Sequence, residues 1–274
     1  MPVPLTSGLL EAGRYEEALA ITQQAIALTK NLPPTLNFHR MLTILGSTYQ
    51  ALQLWEEAHN TLTEAAAMAE KLDFKGYAVP IVSRLCMLAC MTGAWEEAYT
   101  YALQAIALRK RSGKTFIQLD FSRPYEIEVL LHAGNEQQVR EEIRHMEHCL
   151  GSNQRYRIPY LWSLAKLTAW EGRTEQAIGQ LHEAIQLATT LGLPGEQWQI
   201  RAALGHVYEA AGEQAQARSM FEEATRIIEE LADGIKDETL RSRFLAGPQI
   251  APVLHHARYL ASAVPTDPRA PSGL

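Results

Sequence analysis

Six short segments recur along the chain at near-constant spacing: AGRYEEAL, LQLWEEAH, TGAWEEAY, AGNEQQVR, EGRTEQAI and AGEQAQAR. Their seventh residues are Ala18, Ala58, Ala98, Val139, Ala177 and Ala217, so successive copies lie 40, 40, 41, 38 and 40 residues apart. Self-similarity at a period of about 20 to 50 residues marks a repeat architecture. In such a chain no copy can bury its own apolar face, and stacked neighbours share one continuous core. This single feature removes most compact folds from consideration.

Each copy reads as helix, tight turn, helix. The turn carries Gly13, Gly93, Gly134, Gly172 or Gly212, with Gln53 in place of glycine in the second copy. Glycine suits a helix end that must reverse sharply, because positive φ costs it little. Upstream lie apolar stretches such as MLTILGSTYQAL and IRAALGHVYEAA. Downstream lie stretches such as EEAHNTLTEAAAMAEKL, with apolar residues at i, i+3, i+4 and i+7. Alternation with period two never persists, so no strands are expected. Pro33, Pro34, Pro80, Pro159 and Pro194 fall between copies, where each is expected to open the next helix.

The second copy places Leu45, Gly46, Tyr49, Trp55, Ala58, Leu62 and Ala65 where tetratricopeptide repeats have their signature residues. The sixth does so through Leu204, Gly205, Tyr208, Gly212, Ala217, Phe221 and Ala224. The third and fifth keep the turn glycine and second-helix alanines but lose the small-then-aromatic pair. The fourth is the most degenerate, with Val139 and Met146 in place of alanine. On these residues the chain resembles the tetratricopeptide repeat (TPR) family over roughly residues 1–230. The resemblance implies an all-α, right-handed α-α superhelix, a TPR solenoid of six helix pairs with C-terminal capping helices. Ordinary repeats of this type run at about 34 residues, so each copy here carries about six more, or about 9 Å of extra helix. Such long-period arrays are similar to sensor and scaffold regions of large bacterial signal-transduction ATPases and transcriptional activators, and the ending IIEELADGIKDETLRSRFLAGPQI resembles the close of such chains.

The expected organisation is six TPR-like pairs over residues 1–231, capping helices over 232–263 and a disordered, Pro-rich tail over 264–274. The caps are expected as helices at Asp237 to Phe244, with Asp237 as N-cap, and Ile250 to Ser262. The first copy has a short front helix, Pro4 to Glu11. That half-repeat is expected to be exposed, as in a chain cut from something larger or closed by a partner.

Hydrophobic residues at 47% and charged residues at 20% exclude wholesale disorder. A net charge of −6 argues against nucleic acid as a partner, since phosphate contacts demand a basic footprint. The densest basic stretch, Arg109, Lys110, Arg111 and Lys114, falls at an inter-repeat turn and reads as solvated. No run approaches the roughly 18 apolar residues of a membrane helix, and no signal peptide is read, so the expected setting is cytoplasmic with no membrane partner. Cys86, Cys90 and Cys149 are too few for a disulfide framework, and the first two read as small core residues.

No cofactor, metal site or catalytic centre is expected. Ser112-Gly113-Lys114-Thr115 looks like the end of a phosphate-binding loop, but Leu108 stands where that motif needs glycine. His145, His148 and Cys149 share a helix face without a fourth ligand to complete a structural zinc site. No nucleophile elbow or HExxH motif appears.

The family resemblance instead implies binding of a protein or peptide segment, with first helices lining a concave groove. Counting from the turns gives Arg40, Ser47 and Gln50 in copy two, Arg84, Met87 and Met91 in copy three, and Tyr125, Glu128 and His132 in copy four. Copy five gives Trp162, Lys166 and Trp170, and copy six gives Gln199, His206 and Glu209. The copy-five trio forms one stripe at i, i+4 and i+8, and exposed aromatic residues make interface hot spots. The alternative for Trp162 and Trp170 is packing into the neighbouring repeat. A chaperone-type carboxylate clamp would need lysine and asparagine where Thr43 and Ser47 stand, so that mode is not expected. Two other readings remain open: self-association with another copy of the chain, and a small-molecule effector held near Tyr125, Trp162 and Trp170.

Overall fold

The computed structural model describes residues 3–29, 35–72, 75–112 and 121–262. Among the described residues there are fourteen helices and no strand. Twelve form six antiparallel pairs: α1 (Val3–Glu11) with α2 (Tyr15–Thr29), α3 (Leu36–Ala51) with α4 (Trp55–Lys71), and α5 (Lys75–Met91) with α6 (Trp95–Ser112). Then come α7 (Arg123–His132) with α8 (Glu136–Cys149), α9 (Gln154–Trp170) with α10 (Thr174–Thr190), and α11 (Pro194–Ala210) with α12 (Gln214–Asp233). Two shorter helices follow, α13 (Glu238–Leu245) and α14 (Ile250–Ser262). The architecture is an all-α superhelix of TPR type.

The turns repeat one geometry. Gly13, Gly93, Gly134, Gly172 and Gly212 have φ between 70° and 79°, and Gln53 takes the same left-handed region at 63°. The residue after each turn position donates back across the helix end, as Leu54 N–H does to the Tyr49 carbonyl at 2.8 Å and Arg173 N–H to Thr168 at 2.8 Å. This six-to-one bond satisfies a carbonyl the helix itself leaves unpaired. The Asp237 carboxylate caps α13 by accepting from Leu240 N–H at 2.8 Å.

Pairs lock through small residues. A Cβ at Gly205 would lie 2.7 Å from Phe221 Cε2, and one at Gly46 2.7 Å from Leu62 Cδ2. Side-chain absence at these two positions is therefore what lets the paired helices approach. Ala58, Ala98, Ala177 and Ala217 are completely buried at the matching second-helix positions.

Three expectations need correction. Pro194 opens α11, but Pro80 and Pro159 lie inside α5 and α9. Each is the sixth residue of its helix, so the bond it cannot donate is an early one and the helix continues past it. Arg109 is not on a solvated turn. It lies in α6 with its side chain 8% exposed, and its guanidinium reaches Glu126 of α7 at 2.7 Å and Glu142 of α8 at 3.0 Å. Arg123 completes this buried network, bonding the same two carboxylates at 2.7 and 2.9 Å. Burial opposes the charge on Glu126 and Glu142, but the two guanidinium groups outweigh it and hold both carboxyls below the usual range.

The third correction concerns the ends. The first pair is covered by the chain's own C-terminal region. Tyr15 is buried in one cluster with Trp198, Leu231 and Phe244, its ring 6.1 Å from that of Phe244. The backbone at Gly13 abuts Leu231 and Pro194. Polar bonds continue the seam: Lys236 N–H to Glu16 at 2.5 Å, Arg155 to Glu11 at 2.8 Å, and Arg243 to Glu57 at 2.8 Å. The array thus curls until its two ends meet. Pro33, Pro34, Gly113, Lys114, Thr115 and the 264–274 tail lie outside the described residues.

Candidate functional site

Closure of the array on itself leaves a cavity of about 350 Å³ on its inner side. Its wall draws on α1 and α2 (Leu10, Tyr15), α3 (Thr43, Ile44, Ser47, Gln50), α5 (Pro80, Arg84, Met87), α9 (Arg155, Tyr156) and α11 (Gly195, Glu196, Trp198, Gln199). Ser7, Glu11 and Ala51 add to the helical wall, and Gln53, Phe121, Asn153 and Gln249 come from loops. Five carboxamides therefore face one space: Gln50, Gln53, Asn153, Gln199 and Gln249. They come from sequence positions spread over most of the chain, and only the meeting of the two ends assembles them.

Hydrogen bonds fix several of these groups. Arg84 donates to Gln50 Oε1 at 3.3 Å, while Gln50 Nε2 is buried with no acceptor. The Tyr125 hydroxyl donates to Gln199 Oε1 at 2.8 Å and accepts from Gln249 Nε2 at 3.4 Å. Gln53 Oε1 accepts from the Gln249 backbone N–H at 3.2 Å. Arg155 pairs with Glu11 and lies 5.2 Å above the Phe121 ring. Burial, and then the Glu196 charge, raises the Tyr15 phenol above its ordinary value, and burial does the same for Tyr125. Both phenols are protonated, and that of Tyr125 bridges Gln199 and Gln249.

Of the fifteen positions counted from sequence, Ser47, Gln50, Arg84, Met87 and Gln199 line the cavity. Tyr125 backs its wall. Lys166 binds Glu128 at 2.6 Å and lies 5.8 and 5.7 Å over the rings of Tyr125 and Trp162. The copy-five stripe is divided: Trp162 is 3% exposed and packs edge-on against Tyr125, whereas Trp170 is 54% exposed. For Trp162 the packing alternative holds and the groove position does not, because its ring lies against Tyr125 and under Lys166 in the core. The Trp170 indole donates to Glu136 at 3.3 Å. His132 is exposed and stacks 4.2 Å from Trp95, Met91 is half-buried, and Arg40 is exposed on the front of α3. His206 and Glu209 sit away from the cavity, against α14.

Counting from the turns missed Tyr15, Phe121, Arg155, Trp198 and Gln249. Tyr15 occupies the repeat position held by Trp55 and Trp95 in later copies, which reads as packing. No pattern marks Gln249, in the short link between α13 and α14. Only Gln53 carried a signal, as the one side chain at a glycine position.

His145, His148 and Cys149 do not gather as a ligand set among the described residues. Cys86 and Cys90 are buried free thiols, and burial, reinforced by the Glu128 charge, pushes Cys90 up to about 12. No described helix is long and apolar enough to cross a membrane.

No protein-family model and no curated protein matches the chain. Solved structures do. A Rap protein complexed with competence and sporulation factor is similar over 93% of this chain and 74% of its own, at 10% identity and a TM-score of 0.57. The hetero-tetramer Cut9–Hcn1 of the APC/C covers 93% of this chain at 13% identity and a TM-score of 0.48, this chain spanning 54% of it. A thermophilic TPR protein of Thermus thermophilus, TTC0263, covers 90% of this chain and 96% of its own at 18% identity, with a TM-score of 0.34. These structural neighbours are TPR-repeat proteins, and the likeness is one of fold.

Proposed function

We propose that this chain is a non-catalytic interaction scaffold that holds a short, extended peptide segment in the half-open cavity formed where its two ends meet, within a signalling or regulatory assembly. The carrying observation is the carboxamide lining. An extended peptide presents alternating N–H and C=O groups, and a carboxamide is the side chain that offers a donor and an acceptor together. Five of them around one space, interleaved with Ile44, Met87, Phe121 and Trp198, suit a backbone held by hydrogen bonds and side chains held by apolar contact. The buried Gln50 Nε2 adds a donor without a protein acceptor at that wall. Arg84 and Arg155 are balanced by Glu11 and Glu196, so no strong charge selection is built in. The Rap protein with its bound factor shows that a chain of this fold can accommodate a partner.

A pool of randomised linear peptides displayed against the intact chain tests the reading. Selected peptides should change the fluorescence of Trp198. Gln199→Ala and Gln249→Ala should each weaken them about tenfold or more, in line with loss of a buried polar contact. Absence of any enriched sequence, or binding indifferent to both substitutions, would sink the proposal.

The same cavity lies within the roughly 300–1,000 Å³ of small-ligand pockets. An effector site there would differ from the position near Trp162 and Trp170, and it would show as ligand-induced stabilisation by small polar molecules with no selected peptide. Self-association through the first pair has less support, because that face is occupied by Trp198, Leu231 and Phe244 of the same chain.

A further inference from the structure

We propose that His206, Glu209 and His256 form a binding site for a zinc-type divalent transition-metal ion that bridges α11 to α14. His206 and Glu209 are three residues apart on α11 and share a face, while His256 is supplied by α14. One potential ligand atom from each lies within 4.8 Å of the other two. Glu209 presents one carboxylate oxygen to each ring, Oε2 at 3.2 Å from His206 Nδ1 and Oε1 at 2.6 Å from His256 Nε2. Beneath them the Phe221 ring meets His206 at 4.9 Å and His256 at 4.6 Å, both edge-on, so one completely buried side chain seats both imidazoles.

The donor chemistry selects the ion. Two imidazoles and one carboxylate suit zinc and its neighbours in the first transition row, whereas calcium and magnesium call for oxygen donors. Ligands about 2.0–2.1 Å from a tetrahedral ion stand about 3.3 Å apart. Side-chain rotations that open the Glu209–His256 pair by under about 1 Å, and draw the two histidines together, reach that spacing. Three protein ligands leave one position for water. His206 is exposed and the other two are half-buried, so an ion can enter from solvent. Without an ion, the same three groups hold together by hydrogen bonds, and the experiment separates the two cases.

The intact chain, stripped with chelator, is dialysed against Zn²⁺ alone, and in parallel against Co²⁺ to read the visible spectrum of the ion's coordination. One equivalent is expected, with a tetrahedral cobalt spectrum, slower hydrogen exchange in α14 and a raised unfolding temperature, since the unfolded chain lacks the site. Glu209→Gln and His256→Ala should each weaken binding by more than the roughly 10–100-fold that follows loss of an outer-shell partner. His206→Ala, at the exposed ligand, keeps the test valid if the other two disturb α14. The double variant His145→Ala/His148→Ala should bind as the parent does. Absence of stoichiometric zinc, equal response to Ca²⁺, or binding that survives His206→Ala and Glu209→Gln would overturn the proposal and leave a hydrogen-bonded triad.

Discussion

In copies two and six, paired helices meet where a glycine on one faces a large apolar side chain on the other, Gly46 against Leu62 and Gly205 against Phe221. Copy four has Ile127 and Ile143 at the corresponding positions, both buried, and its first helix is only ten residues long. Nearby, where α6, α7 and α8 converge, two arginines and two glutamates are packed out of water. One region is held by shape and the other by a charge network. The difference matters because their failure modes differ. A close apolar contact resists added volume, whereas a buried ion cluster resists loss of any single member.

The largest effect is expected from that cluster. Glu126→Ala leaves two buried guanidinium groups sharing one carboxylate, and breaking such a network costs about 3–5 kcal/mol. Chemical denaturation should show the loss, with exchange fastest in α6 to α8. Replacing all four charged residues by apolar ones of similar size should be nearly neutral instead, since desolvation consumes most of the network's attraction. If Glu126→Ala costs no more than an exposed pair such as Arg243–Glu57, under about 1 kcal/mol, the contrast between the two regions collapses. Acid provides an independent handle. Glu126 and Glu142 titrate below their unfolded value of about 4.3, so their contribution is complete above that pH and is lost as pH falls through the lowered folded values. Glu126→Gln with Glu142→Gln should flatten that acid limb, measured by denaturation from neutral pH downwards.

Next in size is the shape-held region. Gly205→Leu places its first carbon 2.7 Å from Phe221 before the rest of the side chain is accommodated, and overpacking of this kind costs about 1–3 kcal/mol. Phe221 also seats His206 and His256, so a shifted ring should loosen α14 as well. A thermal unfolding curve identical to the parent's would mean that α11 and α12 do not rely on this contact.

How much of this was legible beforehand follows from the range of the interactions. The forty-residue period exposed the helix pairs and turns, because those depend on residues a few positions apart. Even the helix after Asp237 could be read, from the N-cap aspartate that opens it. Closure could not. It depends on Tyr15 meeting Phe244 and on Glu16 meeting Lys236, contacts between residues more than two hundred positions apart that carry no local signature. The cavity inherits that difficulty: Ser47, Gln50, Arg84, Met87 and Gln199 were placed by counting along first helices, while Tyr15 and Gln249 arrive only when the ends meet. Arg109 misled for a related reason, since neighbouring Lys110 and Arg111 made it look like part of a solvated basic run.

The smallest expected effect tests whether Gln53 belongs to the turn or to the closure. As a non-glycine residue at φ 63° it strains the turn by about 1 kcal/mol compared with the glycines of the other copies. Its side chain packs against Gly247, where any Cβ would lie 2.4 Å from Gln53 Cβ, and its carbonyl oxygen accepts from Gln249 N–H. A hydrogen bond of that kind contributes about 0.5–1.5 kcal/mol, so relief and loss nearly cancel in Gln53→Gly. Global stability should therefore change by less than about 1 kcal/mol, while amide exchange over residues 245–260 quickens. A clear gain in stability with unchanged exchange would make the glutamine a strained turn residue and nothing more. The expected pair of results would instead make it the residue that trades turn geometry for a seam between the second copy and the C-terminal helices, at the edge of the half-open cavity.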